Sequence, residues 1–168
     1  MLRLPLLLGA VASLACTDDA ASRNEVVADA NVMRPALASF RQLSFMEGRW
    51  RGVGPDGVPF YEHFRFVDDS TMRSYRFPDS TFATPQDSST VTLVADRIES
   101  SWGDHRWRAS AVDSASIHFE PLEGTSDRFT LRRVSQGTLQ VQQQWTDDKG
   151  RGRSRTTSLE RLANGPTR

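Results

Sequence analysis

From residue 48 to residue 162 the chain is a run of short segments in which apolar and polar residues alternate, separated by clusters of Gly, Pro, Asp and Ser. A period of two belongs to strands with one buried face, because successive side chains of an extended backbone point to opposite sides. No part of this region holds a 3.6-residue period long enough for an amphipathic helix. The predicted strands are Gly48 to Val53, Val58 to Val67, Thr71 to Phe77, Thr90 to Ala95, Ile98 to Trp102, His105 to Val112, Ser116 to Phe119, Arg128 to Val134, Thr138 to Trp145 and Gly152 to Leu162.

The links between them are mostly tight turns, such as Gly54-Pro55-Asp56-Gly57 and Asp68-Asp69-Ser70. Strands joined by tight turns pair with their sequence neighbours, so the sheet is antiparallel and meandering. A sheet of about ten strands with one apolar face must close on itself or fold over, and closure also removes its exposed edges. The expected fold is all-β, an up-and-down barrel of eight to ten strands, with room for side chains or one small ligand. A two-sheet sandwich is the alternative. It needs long cross-connections, and only Pro78 to Ser89 is long enough. That stretch, rich in Ser, Asp and Pro, is expected to lie over the open end or to form an excursion without structure.

The residues before the strands divide into three. Met1 to Ala15 has a positive start and an apolar run too short to span a bilayer, the anatomy of a signal peptide. It ends Ala12-Ser13-Leu14-Ala15-Cys16, which resembles the bacterial lipobox. The resemblance implies cleavage before Cys16, lipidation of its thiol and localisation at the cell envelope. Thr17 follows the Cys where Asp would signal inner-membrane retention, so the outer membrane facing the periplasm is expected. Residues 16–34 are rich in Asp, Asn, Ala and Ser and read as a flexible tether. Pro35 to Leu43 reads as a short helix across the barrel's closed end: Pro suits the first helical position, and Leu37, Phe40 and Leu43 recur at helical spacing. The barrel is expected over 35–163, with a polar tail over 164–168.

Gly48-Arg49-Trp50, preceded by a short helix and followed by a meander, resembles the Gly-x-Trp opening of the lipocalins and their calycin relatives. The resemblance implies that Trp50 packs against an Arg from the last strand, here Arg161, as a structural closure of the barrel. A group of uncharacterised bacterial lipocalin-like domains is closer. It shares the apolar-Glu-Gly-x-Trp start, the Glu62-His63 strand, the Phe119-Glu120-Pro121 segment and the Phe129 to Arg133 strand. That group implies the barrel but no activity. The nitrobindins also start with Gly-x-Trp, and their haem ligand is a His near the start of the last strand. Gly152 to Leu162 contains no His, which argues against haem, and no cofactor is expected.

Lys and Arg together number 21, as do Asp and Glu, so the net charge is zero and no long-range field for nucleic acid exists. One Cys in 168 residues excludes an internal disulfide. The three His, at 63, 105 and 118, have none of the short spacings of a metal motif, so no metal is expected. His105, in a turn, is expected to be solvated. No nucleophile elbow, Walker loop or dinucleotide fingerprint is present.

Glu62 shares its predicted face with Phe60, Phe64 and Phe66. A carboxylate among aromatic rings needs a partner, and an inward Arg, Arg76 or Arg108, is the first candidate. A one-residue slip in register would turn Tyr61, His63 and Arg65 inward instead. Trp102, Trp107 and Trp145 read as wall or core. Gln140, Gln142 and Gln144 read as a solvated outer row. Arg151, Arg153 and Arg155 beside Asp147 and Asp148 read as an exposed mixed-charge hairpin.

The expected function is binding of a small, largely apolar molecule in the lumen of a membrane-anchored monomer. The candidate ligand-binding residues are Glu62, His63, Trp107 and His118. A barrel enzyme of the isomerase or hydrolase kind, with Glu62 or His63 as general base, is the first alternative. A non-catalytic structural or interaction lipoprotein of the envelope, with a filled barrel, is the second.

Overall fold

The computed structural model describes residues 36–122 and 124–163. The signal peptide, Cys16, the tether and the polar tail expected from the sequence lie outside the described residues. Residues 36–41 are α-helical and run into a 3-10 helix, Gln42–Met46. Ten strands follow: β1 (Gly48–Val53), β2 (Pro59–Asp68), β3 (Thr71–Phe77), β4 (Asp87–Val94), β5 (Arg97–Trp102), β6 (His105–Val112), β7 (Ser116–Pro121), β8 (Arg128–Ser135), β9 (Thr138–Thr146) and β10 (Gly152–Arg161). Every pairing is antiparallel between sequence neighbours, and β1 pairs with β10, which closes the barrel. The sandwich alternative is excluded by that last ladder.

The helical segment plugs one end. Phe40, Leu43, Phe45 and Met46 are buried, and Phe40 meets Phe66 edge to face at 5.6 Å. Arg41 pairs with Asp69 of the β2–β3 turn, tying the helix to the rim it covers. Three register shifts, at Phe66/Asp68, Ala109/Ala111 and Arg133/Ser135, all lie toward this end. Bulges bend and twist a strand locally.

Trp50 is fully buried beside it, and its indole N–H donates to the Met46 carbonyl at 2.8 Å. A buried indole needs that partner. Arg161 is its cross-strand partner and stacks on it, the guanidinium carbon 4.2 Å from the ring centroid. Above Trp50, Gly52 leaves space that Leu159 and Phe60 fill; a Cβ there would lie 2.5 Å from each.

Two strand boundaries differ from expectation by two residues or more. β4 starts at Asp87, three residues before the predicted Thr90, because Asp87, Ser88 and Ser89 pair with Arg76, Tyr75 and Ser74 of β3. Those three residues have no apolar member, so no alternation marks them as strand. β7 likewise continues to Pro121.

The long link, residues 78–86, does not cover the open end. Pro78 and Gln86 line the mouth, but Phe82 packs on the outer wall, with its ring 5.0 Å from Phe77, 5.9 Å from Tyr61 and 6.3 Å from His63. The Arg49 guanidinium lies 4.7 Å from the same ring. Phe82 adopts φ of 55°, a conformation that costs about 1–3 kcal/mol for a bulky residue. The ring contacts offset that cost.

Candidate functional site

Closure at one end leaves a cavity of about 640 Å³ inside the barrel, reached from the other end. Its size lies within the roughly 300–1,000 Å³ of small-molecule pockets. Met46 and Leu159 belong to its floor, and Pro55, Gln86, Trp102 and Asp127 to its mouth.

One wall is a ladder of rings. Trp102 stacks on His105 at 5.9 Å and 25°, and His105 lies 5.9 Å from Trp107. Trp107 meets Phe129 edge to face at 5.2 Å, and Phe129 stacks on Phe119 at 4.7 Å. The ladder thus descends from the half-exposed Trp102 at the rim to the buried Phe119. Both indole N–H groups are satisfied, Trp102 by the Asp87 carboxylate at 2.6 Å and Trp107 by the Asp127 carbonyl at 2.7 Å. These bonds fix the planes of the rings. His105 is exposed, as expected, and also lines the cavity mouth between two indoles. The β5–β6 turn is so short that its first inward position already belongs to the wall.

The opposing wall carries the charge. Glu62 faces inward, as the Phe60, Phe64 face of β2 requires, and its side chain is 12% exposed. Arg76 donates to its Oε1 from Nη2 at 2.6 Å and from Nε at 3.2 Å, and the Ser74 hydroxyl reaches Oε2 at 3.4 Å. The Arg76 guanidinium also lies 4.4 Å from the Phe60 ring centroid. Glu62 and Arg76 are direct cross-strand partners, so the pair braces β2 against β3. Arg108, the other candidate partner, sits on the outer face and pairs with Glu99 at 2.9 Å.

Of the four residues expected at a ligand site, Glu62 and Trp107 line the cavity. His63 and His118 do not. Each alternates with an inward neighbour, Glu62 or Phe64 for the first and Phe119 for the second, and so lies on the outer face. His63 packs beside Phe82, where burial, and then Arg49 and Arg65, hold its pKa below the ordinary value while Glu47 opposes the shift. His118 Nδ1 lies 3.0 Å from the Thr130 hydroxyl. The side chains of these two do not join Glu62.

Arg155 is the residue that sequence reading misplaced. Arg151 and Arg153 do pair with Asp147, as the mixed-charge hairpin predicts. Arg155 lines the cavity and donates to Gln143 Oε1 at 2.5 Å. Its position, two and four residues past arginines of the same parity, gives the signal that could have found it. Arg151 and Arg153 stay with Asp147 at the β9–β10 turn, and of the three only Arg155 reaches the cavity wall.

Among the described residues no three His, Cys, Asp or Glu side chains converge as a metal site would require, and no helix is long and apolar enough to cross a membrane. No protein-family model matches the chain, and no curated protein matches it. Among solved structures, the chain is similar to EF1p2_mFAP2b, determined bound to DFHBI, at 12% identity over 73% of this chain and 98% of that one, with a TM-score of 0.37. It is also similar to a redesigned β-barrel at 14% identity over 73% and 96% of the two chains, with a TM-score of 0.34.

Proposed function

We propose that this chain is a small-molecule-binding barrel of lipocalin-like type, held at the bacterial cell envelope by a lipid on Cys16. The single observation that carries the binding reading is the cavity of about 640 Å³, open at one end and walled by the ladder from Trp102 to Phe119. A filled barrel, as a purely structural lipoprotein would have, leaves no such space. An apolar or aromatic body gains burial against these rings at about 25 cal/mol per Å² of apolar surface removed from water. The rings are already oriented by their N–H bonds, so little ordering cost is incurred on binding.

The anchor rests on the apolar run that ends at Ala15-Cys16 and on the absence of any second Cys from the sequence. An outer-membrane site facing the periplasm follows from Thr17 by the sorting rule stated above.

Titration with neutral N-phenylnaphthylamine, read by its fluorescence and by native mass spectrometry, tests the binding reading. One-to-one binding is expected. Thr157→Phe, which places a ring in the lumen from the inner face of β10, is expected to abolish binding and leave the far-UV circular dichroism unchanged. No binding by the natural chain, or undiminished binding by the variant, overturns the reading. Mass spectrometry of the mature N-terminus tests the anchor, and an unmodified Cys16 refutes it.

The enzyme reading keeps one supporting observation, that the cavity reaches the Glu62 carboxylate. Its other candidate base, His63, lies on the far side of the wall.

A further inference from the structure

Two guanidinium groups line the cavity, and they differ. Arg76 is neutralised by Glu62. Arg155 has no carboxylate partner among the described residues; its hydrogen bond goes to the neutral Gln143. Three carboxylates stand at the mouth, those of Asp56, Asp87 and Asp127; none forms an ion pair with Arg155, and the first two are partly committed elsewhere. Asp56 accepts the Val58 N–H of its own turn at 3.0 Å. Asp87 accepts the Ser88 N–H at 2.7 Å and the Trp102 indole at 2.6 Å, on β4, which β1, β2 and β3 separate from β10.

The placement of Arg155 relative to the rings is set by register. Phe119 is the cross-strand partner of Phe129, Phe129 of Gln143, and Gln143 of Arg155. The four side chains form one inward row across β7, β8, β9 and β10. Phe129 and Arg155 are two strand spacings apart, roughly 10 Å. That is about the length of a two-ring aromatic body with an acidic substituent. Gln143 accepts from Arg155 through its carbonyl oxygen, which leaves its amide N–H groups free to donate to a ligand.

We propose that the ligand of this lumen is an aromatic or apolar acid. Its flat body lies on Trp107 and Phe129, and its anionic group is held by the Arg155 guanidinium and the Gln143 amide. The proposal rests on the lumen-binding reading and adds the charge of the ligand to it. Arg155 supplies planar paired donors to a carboxylate, sulfonate or phosphate. The neutral Gln143 orients that fork without consuming its charge.

Two probes with the same aromatic body, anilinonaphthalene sulfonate and neutral N-phenylnaphthylamine, test the proposal on the full chain and on Arg155→Gln. The variant is expected to weaken sulfonate binding by about tenfold, the loss of one charge-assisted contact, and to leave the neutral probe within about twofold. Arg155→Lys is expected to fall between them. Arg153→Gln, at a residue paired with Asp147 outside the lumen, controls for a general loss of positive charge and is expected to change neither. Undiminished sulfonate binding by Arg155→Gln, or equal loss of both probes, overturns the anion proposal and leaves lumen binding standing. Failure of both probes to bind the natural chain overturns both readings.

Discussion

The guanidinium of Arg161 lies 4.2 Å from the centre of the Trp50 ring while its nitrogens donate to three backbone carbonyls, those of Gln136, Glu47 and Phe45, at 3.1, 2.6 and 3.2 Å. One side chain therefore joins the β8–β9 turn, the plug and the first strand at the seam where the barrel closes. Only a planar group with donors on several edges can stack and bond in all these directions at once.

Arg161→Ala is expected to destabilise the fold by about 2 kcal/mol, the stacking term plus part of three partly solvated hydrogen bonds. Arg161→Lys retains the charge and loses the fork, so it is expected to recover less than half of that. Urea unfolding followed by tryptophan fluorescence measures both. Equal stability of the Lys variant and the natural chain would show that charge alone suffices.

Gly48 belongs to the same seam. It has φ of +127°, and a Cβ on it would lie 2.5 Å from Arg161 Nη1. Gly48→Ala therefore combines backbone strain with displacement of the guanidinium, and a loss of about 1–3 kcal/mol is expected. In the Arg161→Ala background the displacement disappears and the strain remains. The double-mutant cycle is expected to show a coupling of at least about 0.5 kcal/mol, and additive losses would refute the contact.

Trp50→Ala removes a fully buried ring and strands the Met46 carbonyl. A loss of about 3–5 kcal/mol is expected. Trp50→Phe keeps most of the volume and loses the N–H bond, so it should cost visibly less. Melting temperatures ordered otherwise would place the ring's contribution in the hydrogen bond rather than in its packing.

His63 makes stability depend on pH in a stated direction. Its folded pKa lies below the ordinary 6.5, chiefly through burial and then through Arg49 and Arg65. The unfolded chain therefore binds more protons as pH drops below 6.5, and the folded state loses stability there. Above 6.5 that loss is absent. His63→Gln is expected to flatten the slope of the urea midpoint between about pH 6.5 and 5. The carboxylates held low by turn hydrogen bonds, Asp68, Asp79, Asp113 and Asp147, act only below their ordinary 3.8 and do not confound the window. A slope that survives the substitution would assign the effect elsewhere.

Glu62→Gln probes the brace in the cavity wall. It leaves Arg76 without its ion pair at a half-exposed site, and a loss of about 0.5–1 kcal/mol is expected after allowing for solvent. The loss should shrink in an Arg76→Gln background. Unchanged stability would leave the pair to ligand contact alone.

Much of this was legible in the residues. The alternation of Phe60, Glu62, Phe64 and Phe66 identified the inward face of β2, and a carboxylate on such a face demanded a cation, which Arg76 supplies. The resemblance of Gly48-Arg49-Trp50 to the lipocalin opening implied a partner for Trp50 on the last strand, and Arg161 takes that place. Other placements were not legible, for separable reasons. Asp87 to Ser89 became strand through pairing with β3, although no alternation marks them. Phe82 turned the long link onto the outer wall, because the rings it packs against come from β2 and β3. His63 and His118 looked like site residues by type alone, and parity turned them away.

By itself the sequence determined the strand succession and the antiparallel order, because both follow from local periodicity and turn residues, while the closing pair was implied by the resemblance of its Gly-x-Trp opening to the lipocalins. Only the tertiary structure decided what occupies the lumen wall. Arg155 and Gln143, 12 residues apart, become neighbours of Phe129 through the register of three strands, and register is a property of the closed sheet. The seam at Trp50 and Arg161 fixes the shut end, and the row from Phe119 to Arg155 gives the open lumen its chemistry.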